Sequence, residues 1–372
     1  MNASLSNSVQ DYSDYDGSST SNVWYSAQFV SPLFPVYVKG LDGKNVLGED
    51  GKPQLDYGEN GRPGSYTDYN PVGGLTDDKS NKKNDVASLR TGVTFGSDKD
   101  NFGVFKGIKL NVNFGLDYRN QSRMSYMNMY HGNQATAGGL LTKYNTRMQS
   151  YTFNQLLSWN RSFGLHSFDV LAGHEFYAYS YEYLKAGKTN LVDGILELRP
   201  GTTLYAADSY TDKYRIESWL GRFNYNYDEK YYLDLTYRRD GSSLFGLNSQ
   251  WGNFWSAGAM WDLKKENFLS DVSWLNQLQL KASYGSVGNS SGLDPYMSFG
   301  LIGTGPLYGG QSGTAVANPA NPDLTWEVVK STNVGLSTRL FDRVSLDIEF
   351  YNRMTENMLM EIPYSFTTGF AS

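Results

Sequence analysis

From Ile108 to Arg119 apolar and polar side chains alternate without a break. Ile108, Leu110, Val112, Phe114, Leu116 and Tyr118 take one phase, and Lys109, Asn111, Asn113, Gly115, Asp117 and Arg119 take the other. A strand sends successive side chains to opposite faces, so this run makes one apolar face and one polar face. Ordinary strands run to about 5–6 residues, whereas a tilted strand that crosses a bilayer needs roughly 9–11. The pattern predicts a strand of the second kind.

The same reading predicts ten long strands, near 87–96, 107–119, 145–160, 166–184, 214–227, 231–241, 252–263, 277–286, 326–340 and 344–358, with an eleventh over 22–30. Tyr231, Leu233, Leu235 and Tyr237 oppose Tyr232, Asp234, Thr236 and Arg238. Leu278, Leu280, Ala282 and Tyr284 oppose Gln277, Gln279, Lys281 and Ser283. Val344, Leu346, Ile348 and Phe350 oppose Ser345, Asp347, Glu349 and Tyr351. None of these apolar phases carries a charge, and one Arg or Lys at the bilayer midplane costs about 2–4 kcal/mol. The 145–184 hairpin is less regular, because Gln155 and His174 share phases with large apolar groups.

The links alternate in length. Arg161-Ser162-Phe163-Gly164, Asp228-Glu229-Lys230 and Phe341-Asp342-Arg343 are short turns, while 120–144, 185–213, 242–251 and 287–325 are long. Periplasmic turns and extracellular loops of a membrane barrel alternate in this way. The links 97–106 and 264–276 fall in short-turn slots but are longer. This parity puts Tyr126, Tyr130, Tyr205, Tyr210, Tyr296 and Tyr308 on the outer side. Aromatics gather at strand ends, as in interfacial girdles: Trp159, Tyr225, Tyr227, Tyr231 and Trp261 toward the turns, and Trp219, Trp251, Trp255 and Trp326 toward the loops. Asp42-Gly43, Asp50-Gly51 and Asn60-Gly61 are hairpin-turn dipeptides. Residues 39–86 therefore read as a large extracellular loop with small hairpins, and residues 1–21 as a polar leader or loop.

Composition agrees with this picture. Charged residues make up 19% of the 372, aromatics 15%, with 29 Tyr and 39 Gly, and typical globular chains carry about 25% charged residues. Mean hydropathy is −0.50, as expected where lumen and loops are wet and only one face meets lipid. The absence of cysteine excludes thiol catalysis, Cys-ligated zinc and disulfides. With a net charge of −6 and scattered Lys and Arg, nucleic-acid binding is not expected. Val23 to Val38 contains Pro32 and Pro35 and is too short for a helical span. Residues 1–20 lack the basic and apolar regions of a secretion signal.

Motifs for catalysis fail on context. Gly288-Asn289-Ser290-Ser291-Gly292 matches a nucleophile elbow, but no helical pattern follows and all three histidines precede Ser290. His166 and His174 share a phase about 27 Å apart along a strand, too far for one metal, and His131 sits in a loop. Asp14-Tyr15-Asp16-Gly17 lacks the acidic first and twelfth positions of an EF-hand, which fall on Tyr12 and Val23. Gly303-Thr304-Gly305 has the wrong spacing for a dinucleotide fingerprint. Asp234, Asp347 and Glu349 occupy the polar phase and read as solvated lumen charges. No catalytic residue, metal site or cofactor is nominated.

A series of blocks in order carries a resemblance. They are Ser31-Pro32-Leu33-Phe34-Pro35-Val36-Tyr37, Tyr151-Thr152-Phe153-Asn154-Gln155-Leu156-Leu157, Phe168-Asp169-Val170-Leu171-Ala172-Gly173-His174-Glu175 and Gly221-Arg222-Phe223-Asn224-Tyr225. Tyr237-Arg238-Arg239-Asp240-Gly241-Ser242-Ser243, Trp251-Gly252-Asn253-Phe254-Trp255-Ser256 and Leu280-Lys281-Ala282-Ser283-Tyr284-Gly285 follow. Asn321-Pro322-Asp323-Leu324-Thr325-Trp326-Glu327 and Asn333-Val334-Gly335-Leu336 complete it. From about residue 22 onward the chain resembles the barrel of the SusC/RagA family of TonB-linked outer-membrane transporters, typical of Bacteroidetes.

The resemblance implies a cell outer-membrane, all-β fold: an antiparallel transmembrane β-barrel segment of 10–11 long strands from a 22-stranded barrel. It implies long extracellular loops, mostly short periplasmic turns, and residues 22–372 as a partial TonB-dependent receptor barrel. The implied partners are a SusD-like surface lipoprotein, the TonB complex acting through a plug, outer-membrane lipid, and an imported glycan or peptide. Plug, TonB-contacting box and signal segment are missing, so the chain is expected to be a piece of a longer one that does not transport alone. Tyr205, Tyr210, Tyr296 and Tyr308 are the candidate substrate contacts, because exposed aromatics in Gly-rich loops stack on sugars. The competing readings are a soluble or surface all-β carbohydrate-binding module, whose strands would be shorter, and a passive porin-type barrel.

Overall fold

The computed structural model describes residues 1–12, 27, 28, 30–58, 70–96, 103, 105–132, 134–360, 365 and 367. Its strands are β1 (Asn2–Tyr12), β2 (Lys79–Gly96), β3 (Ile108–Met127), β4 (Leu140–Phe163), β5 (His166–Thr189), β6 (Thr203–Tyr227) and β7 (Tyr231–Ser242). They continue with β8 (Trp251–Asp262), β9 (Leu275–Asn289), β10 (Leu301–Tyr308), β11 (Gln311–Asn318), β12 (Glu327–Leu340) and β13 (Val344–Glu356). A seven-residue helix, α1 (Pro71–Asp77), precedes β2. No described helix is long and apolar enough to cross a membrane.

Eleven strands form one sheet in the order β1-β2-β3-β4-β5-β6-β7-β8-β9-β12-β13, and β10 pairs with β11 as a separate hairpin inside the β9–β12 link. Every pair is antiparallel. The short turns fall on one edge. Asp228 and Glu229 take φ of 53° and 52°, and Phe341 and Asp342 take 55° and 53°. Two consecutive positive φ values give the turn whose twist matches that of paired strands.

All ten predicted strands are present, but β2 to β6 outgrow their predicted limits on the loop side by five residues or more. β4 and β5 have 24 residues and β6 has 25, far more than a bilayer requires. The links expected at 120–144 and 185–213 shrink to 128–139 and 190–202. Both phases there are polar or tyrosine-rich, so the alternation fades while the ladder continues. Cross-strand bonds such as Asn145 Nδ2 to Asn120 Oδ1, 3.2 Å, accompany it.

Two expectations near the amino end need correction, and a third lies largely outside the described residues. Residues 2–12, expected within a polar leader or loop, form β1 and pair with β2 along its whole length; Ser and Asn on both phases hid it. The eleventh strand expected at 22–30 lies largely outside the described residues, and Ala27 and Gln28 there are helical. The loop expected to run from 39 to 86 ends at Asp78. Its first hairpins are present, bridged Lys39↔Asn45 and Leu47↔Pro53; Asn60-Gly61 lies outside the described residues.

The sheet is a single layer. Leu235, Leu280 and Ile348, on the apolar phase, remain 40%, 43% and 56% exposed, and among the described residues no second layer covers them. Buried apolar clusters sit instead at the loop end. One joins Tyr126, Leu141 and Leu191; the other joins Phe245, Phe254 and Trp326. Trp326, expected in the outer girdle, is buried, its Nε1 donating to the Gln250 carbonyl at 3.1 Å.

Candidate substrate-facing surface

The polar phases of β4 to β9, β12 and β13 meet in a trough of about 1290 Å³ near the turn edge, lined among others by Asn224, Asp234, Lys281, Asn333, Asp347 and Glu349. The structure thus gathers the carboxylates that the sequence assigned to a lumen. Asp234 is neutralised locally, Arg222 Nε donating to its Oδ2 at 3.1 Å, and Lys281 Nζ donates to Ser337 Oγ at 2.9 Å. Higher on the same phases, Arg90 meets Asp117 at 2.6 Å, and Arg238 meets Asp240 at 2.7 Å while donating to Ser218 Oγ at 2.9 Å. This surface is wet, hydrogen-bonding and shaped for polar cargo.

Above these pairs the polar phase becomes aromatic. Tyr177, Tyr179, Tyr181 and Tyr183 recur at every second position of β5 and face one side. Tyr214 lies 5.8 Å from Tyr177 and 5.0 Å from Tyr179, centroid to centroid. Tyr210 lies 6.0 Å from Tyr181 and 4.9 Å from Tyr183, and Tyr144 of β4 lies 6.5 Å from Tyr183. Offset rings at such distances attract each other.

Of the tyrosines nominated as substrate contacts, Tyr205 and Tyr210 are in strand β6, not in a loop. Tyr210 belongs to the cluster just described. Tyr205 occupies a register shift opposite Gly187 and Lys188, and a Cβ at Gly187 would stand only 3.1 Å from its Cδ1. Glycine there makes room for the ring. Tyr296 and Tyr308 belong to the β9–β12 link. Tyr296 has φ of 74° and packs on Phe299 at 6.4 Å, while Tyr308 ends β10 and its side chain is outside the description. The sequence signal for this cluster is the period-two tyrosine run at 177, 179, 181 and 183.

The histidines are engaged elsewhere. His166 Nδ1 is 2.7 Å from Tyr225 Oη. His174 sits between Gln155 at 3.0 Å and Glu217 at 3.2 Å, against Trp219, on the apolar phase. This contact explains the irregular hairpin, because each polar group there finds a partner. His131 is buried in a loop clasp, its Nε2 2.8 Å from Asp77 and its ring stacked on Tyr57 at 3.7 Å. Burial and then the Asp77 bond push the Tyr57 phenol well up. Burial also raises the Asp78 carboxyl, against donation from Asn128. The Tyr130 phenol is pushed up to about 12, chiefly by its bond to Asp193.

A long-stranded antiparallel sheet with a bare apolar face and a polar trough behind it defines a membrane-embedded β-sheet protein of the outer-membrane barrel class. Residues 7–371 match the family model described as "TonB dependent receptor-like, beta-barrel", and the chain belongs to that family. It is 33% identical to TonB-dependent receptor P3 of Formosa agariphila over 61% of this chain and 23% of that protein. It is 24% identical to TonB-dependent receptor SusC of Bacteroides thetaiotaomicron over 100% of this chain and 37% of that one. Among solved structures, that of the RagAB peptide transporter superposes with a TM-score of 0.76 at 23% identity, covering 100% of this chain and 40% of that chain. The RagAB peptide importer in its 'closed-closed' state gives 0.75 at 26%, covering 86% and 35%. The chain therefore spans well under half of the relatives it matches. Membership places it in the outer membrane, in a family of transport proteins rather than enzymes.

Proposed function

We infer that this chain is a lumen-forming section of a TonB-dependent importer of the SusC/RagA kind, supplying roughly half of a 22-stranded wall. The observation that carries the reading is the two-sided sheet, with uncovered Leu235, Leu280 and Ile348 on one face and the Asp234–Lys281–Asp347 trough on the other. Lipid accepts the first face and not the second, whereas a soluble module would cover the first. A SusD-like lipoprotein would close over the loop edge, and TonB would act through a plug carried by the rest of the protein. The cargo is a glycan or a peptide, met by Tyr205, Tyr210, Tyr296 and Tyr308 at the loop edge. β1 and β13 are edges that need further strands to close a barrel. In cells, uptake by the complete transporter is expected to stop when TonB is removed; undiminished uptake would refute the energised reading and favour a passive pore. The isolated segment in liposomes is expected to give no closed, protease-resistant pore.

A further inference from the structure

One cross-strand row on the trough-side phase has unusual chemistry. Gln10, Lys82, Arg123, Tyr144, Lys185 and Asp208 are successive Cα partners from β1 to β6. Tyr144 shares its phase with the trough residues Asn160 and Ser162, and Lys185 shares its phase with Ser167 and Asp169. Lys82 and Arg123 are therefore like charges directly opposite each other, an arrangement that destabilises a sheet. Arg119 adds a third cation four residues below Arg123 on the same face. From β1 to β4, the described positions of this phase above Asp117 carry no carboxylate, in a chain whose net charge is −6. Asp208 and Asp212 appear only on β6, at the far end.

Aromatic rings lie against Arg123 and Lys185. The Arg123 guanidinium lies 5.2 Å from the Tyr144 ring and 5.8 Å from the Tyr12 ring, and Lys185 Nζ lies 5.4 Å from Tyr144. Lys82, Arg119 and Lys185 have no ion pair among the described residues. Three strand spacings, about 14 Å, separate β2 from β5, so the cations outline a band the width of a few sugar rings beside Tyr183 and Tyr210.

We propose that this band is a subsite for an anionic glycan, one bearing uronate carboxylates or sulfate esters, rather than for a neutral glycan or an acidic peptide. The inference rests on the reading of this face as a transport lumen and narrows its cargo. Tyrosine faces suit the apolar faces of sugar rings, while Lys82, Arg119 and Lys185 supply charge-assisted hydrogen bonds to the acidic groups.

The test uses the complete transporter in detergent and titration calorimetry at low and physiological salt. The probes are hexasaccharides of galacturonate, alginate and carrageenan, with maltohexaose and hexaglutamate as comparators. At least one acidic hexasaccharide is expected to bind roughly tenfold more tightly than both comparators, and less tightly as salt rises. The combined Lys82→Gln, Arg119→Gln, Lys185→Gln variant is expected to lose that preference. Lys82→Arg with Lys185→Arg keeps it, which separates charge from misfolding, and Lys83→Gln, on the opposite face of β2, leaves it unchanged. Failure of every acidic probe to exceed the comparators overturns the proposal. So does equal binding of hexaglutamate, or a triple variant that binds as wild type. TonB-driven uptake without charge preference would leave the import reading standing while this inference falls.

Discussion

Leu280 and Lys281 are neighbours on β9, yet one faces outward and the other lines the trough. A cation is tolerated at 281 because water and Ser337 solvate it. Moving the charge one position along is expected to be costly. Leu280→Arg should destabilise the assembled barrel by about 2–4 kcal/mol, read as lost heat-modifiable migration and a lower urea midpoint in lipid, whereas Lys281→Arg should change neither. Phe245, 1% exposed between Trp326 at 4.5 Å and the loop that holds it, is the counterpart at the loop edge. Phe245→Ala is expected to cost about 3–5 kcal/mol and to appear as protease cleavage within 243–250 and 290–326. The apolar phases of β3, β7, β9 and β13 were legible residue by residue, because lipid imposes a strict period of two. Phe245 and Trp326 were not legible, because their burial depends on two loops meeting, and nothing local distinguishes a buried loop aromatic from a girdle one.

At the scale of elements, turns and caps decide the register. Asp342 has φ of 53° and donates its backbone N–H to Asn276 Oδ1 at 2.8 Å. Asp342→Gly is expected to raise stability slightly, because glycine adopts positive φ without strain. Asp342→Pro, which fixes φ near −65° and removes the donor, is expected to lower the yield of folded barrel; equal folding of the two variants would count against this turn geometry. At the β8–β9 link, Glu266 accepts from Tyr231 Oη at 2.5 Å and from Trp261 Nε1 at 3.0 Å. The Tyr231 bond, then the Trp261 bond, hold its carboxyl below the ordinary range. A carboxyl depressed by folding adds stability above its unfolded pKa and loses it as pH falls through the folded value. Trp fluorescence and stability are therefore expected to drop together below the ordinary carboxylate range, and Glu266→Gln is expected to abolish that step. Ten of the strands were legible in the sequence, whereas β1, β10, β11 and the strand ends on the loop side were not. Asn120–Arg123 pairs as well as Ile108–Arg119 but has no apolar phase to announce it. β1 was missed for the same reason.

On the scale of the whole molecule, the account depends on where the two faces of one sheet point. A family match over residues 7–371 fixes the lineage, and the uncovered Leu235 face and the Asp234 trough supply the physical reason for membrane residence. The chain has no cysteine, so single cysteines can be placed along β7 and β9 without background within this segment. The most direct measurement is spin-label accessibility at 233, 234, 235 and 236, and at 280 and 281, in the complete transporter reconstituted in lipid. The account predicts that labels at 233, 235 and 280 collide with oxygen dissolved in the bilayer, and that those at 234, 236 and 281 collide with a water-soluble relaxant. Equal accessibility at all six positions, or labels at 233, 235 and 280 shielded from the bilayer, would contradict it.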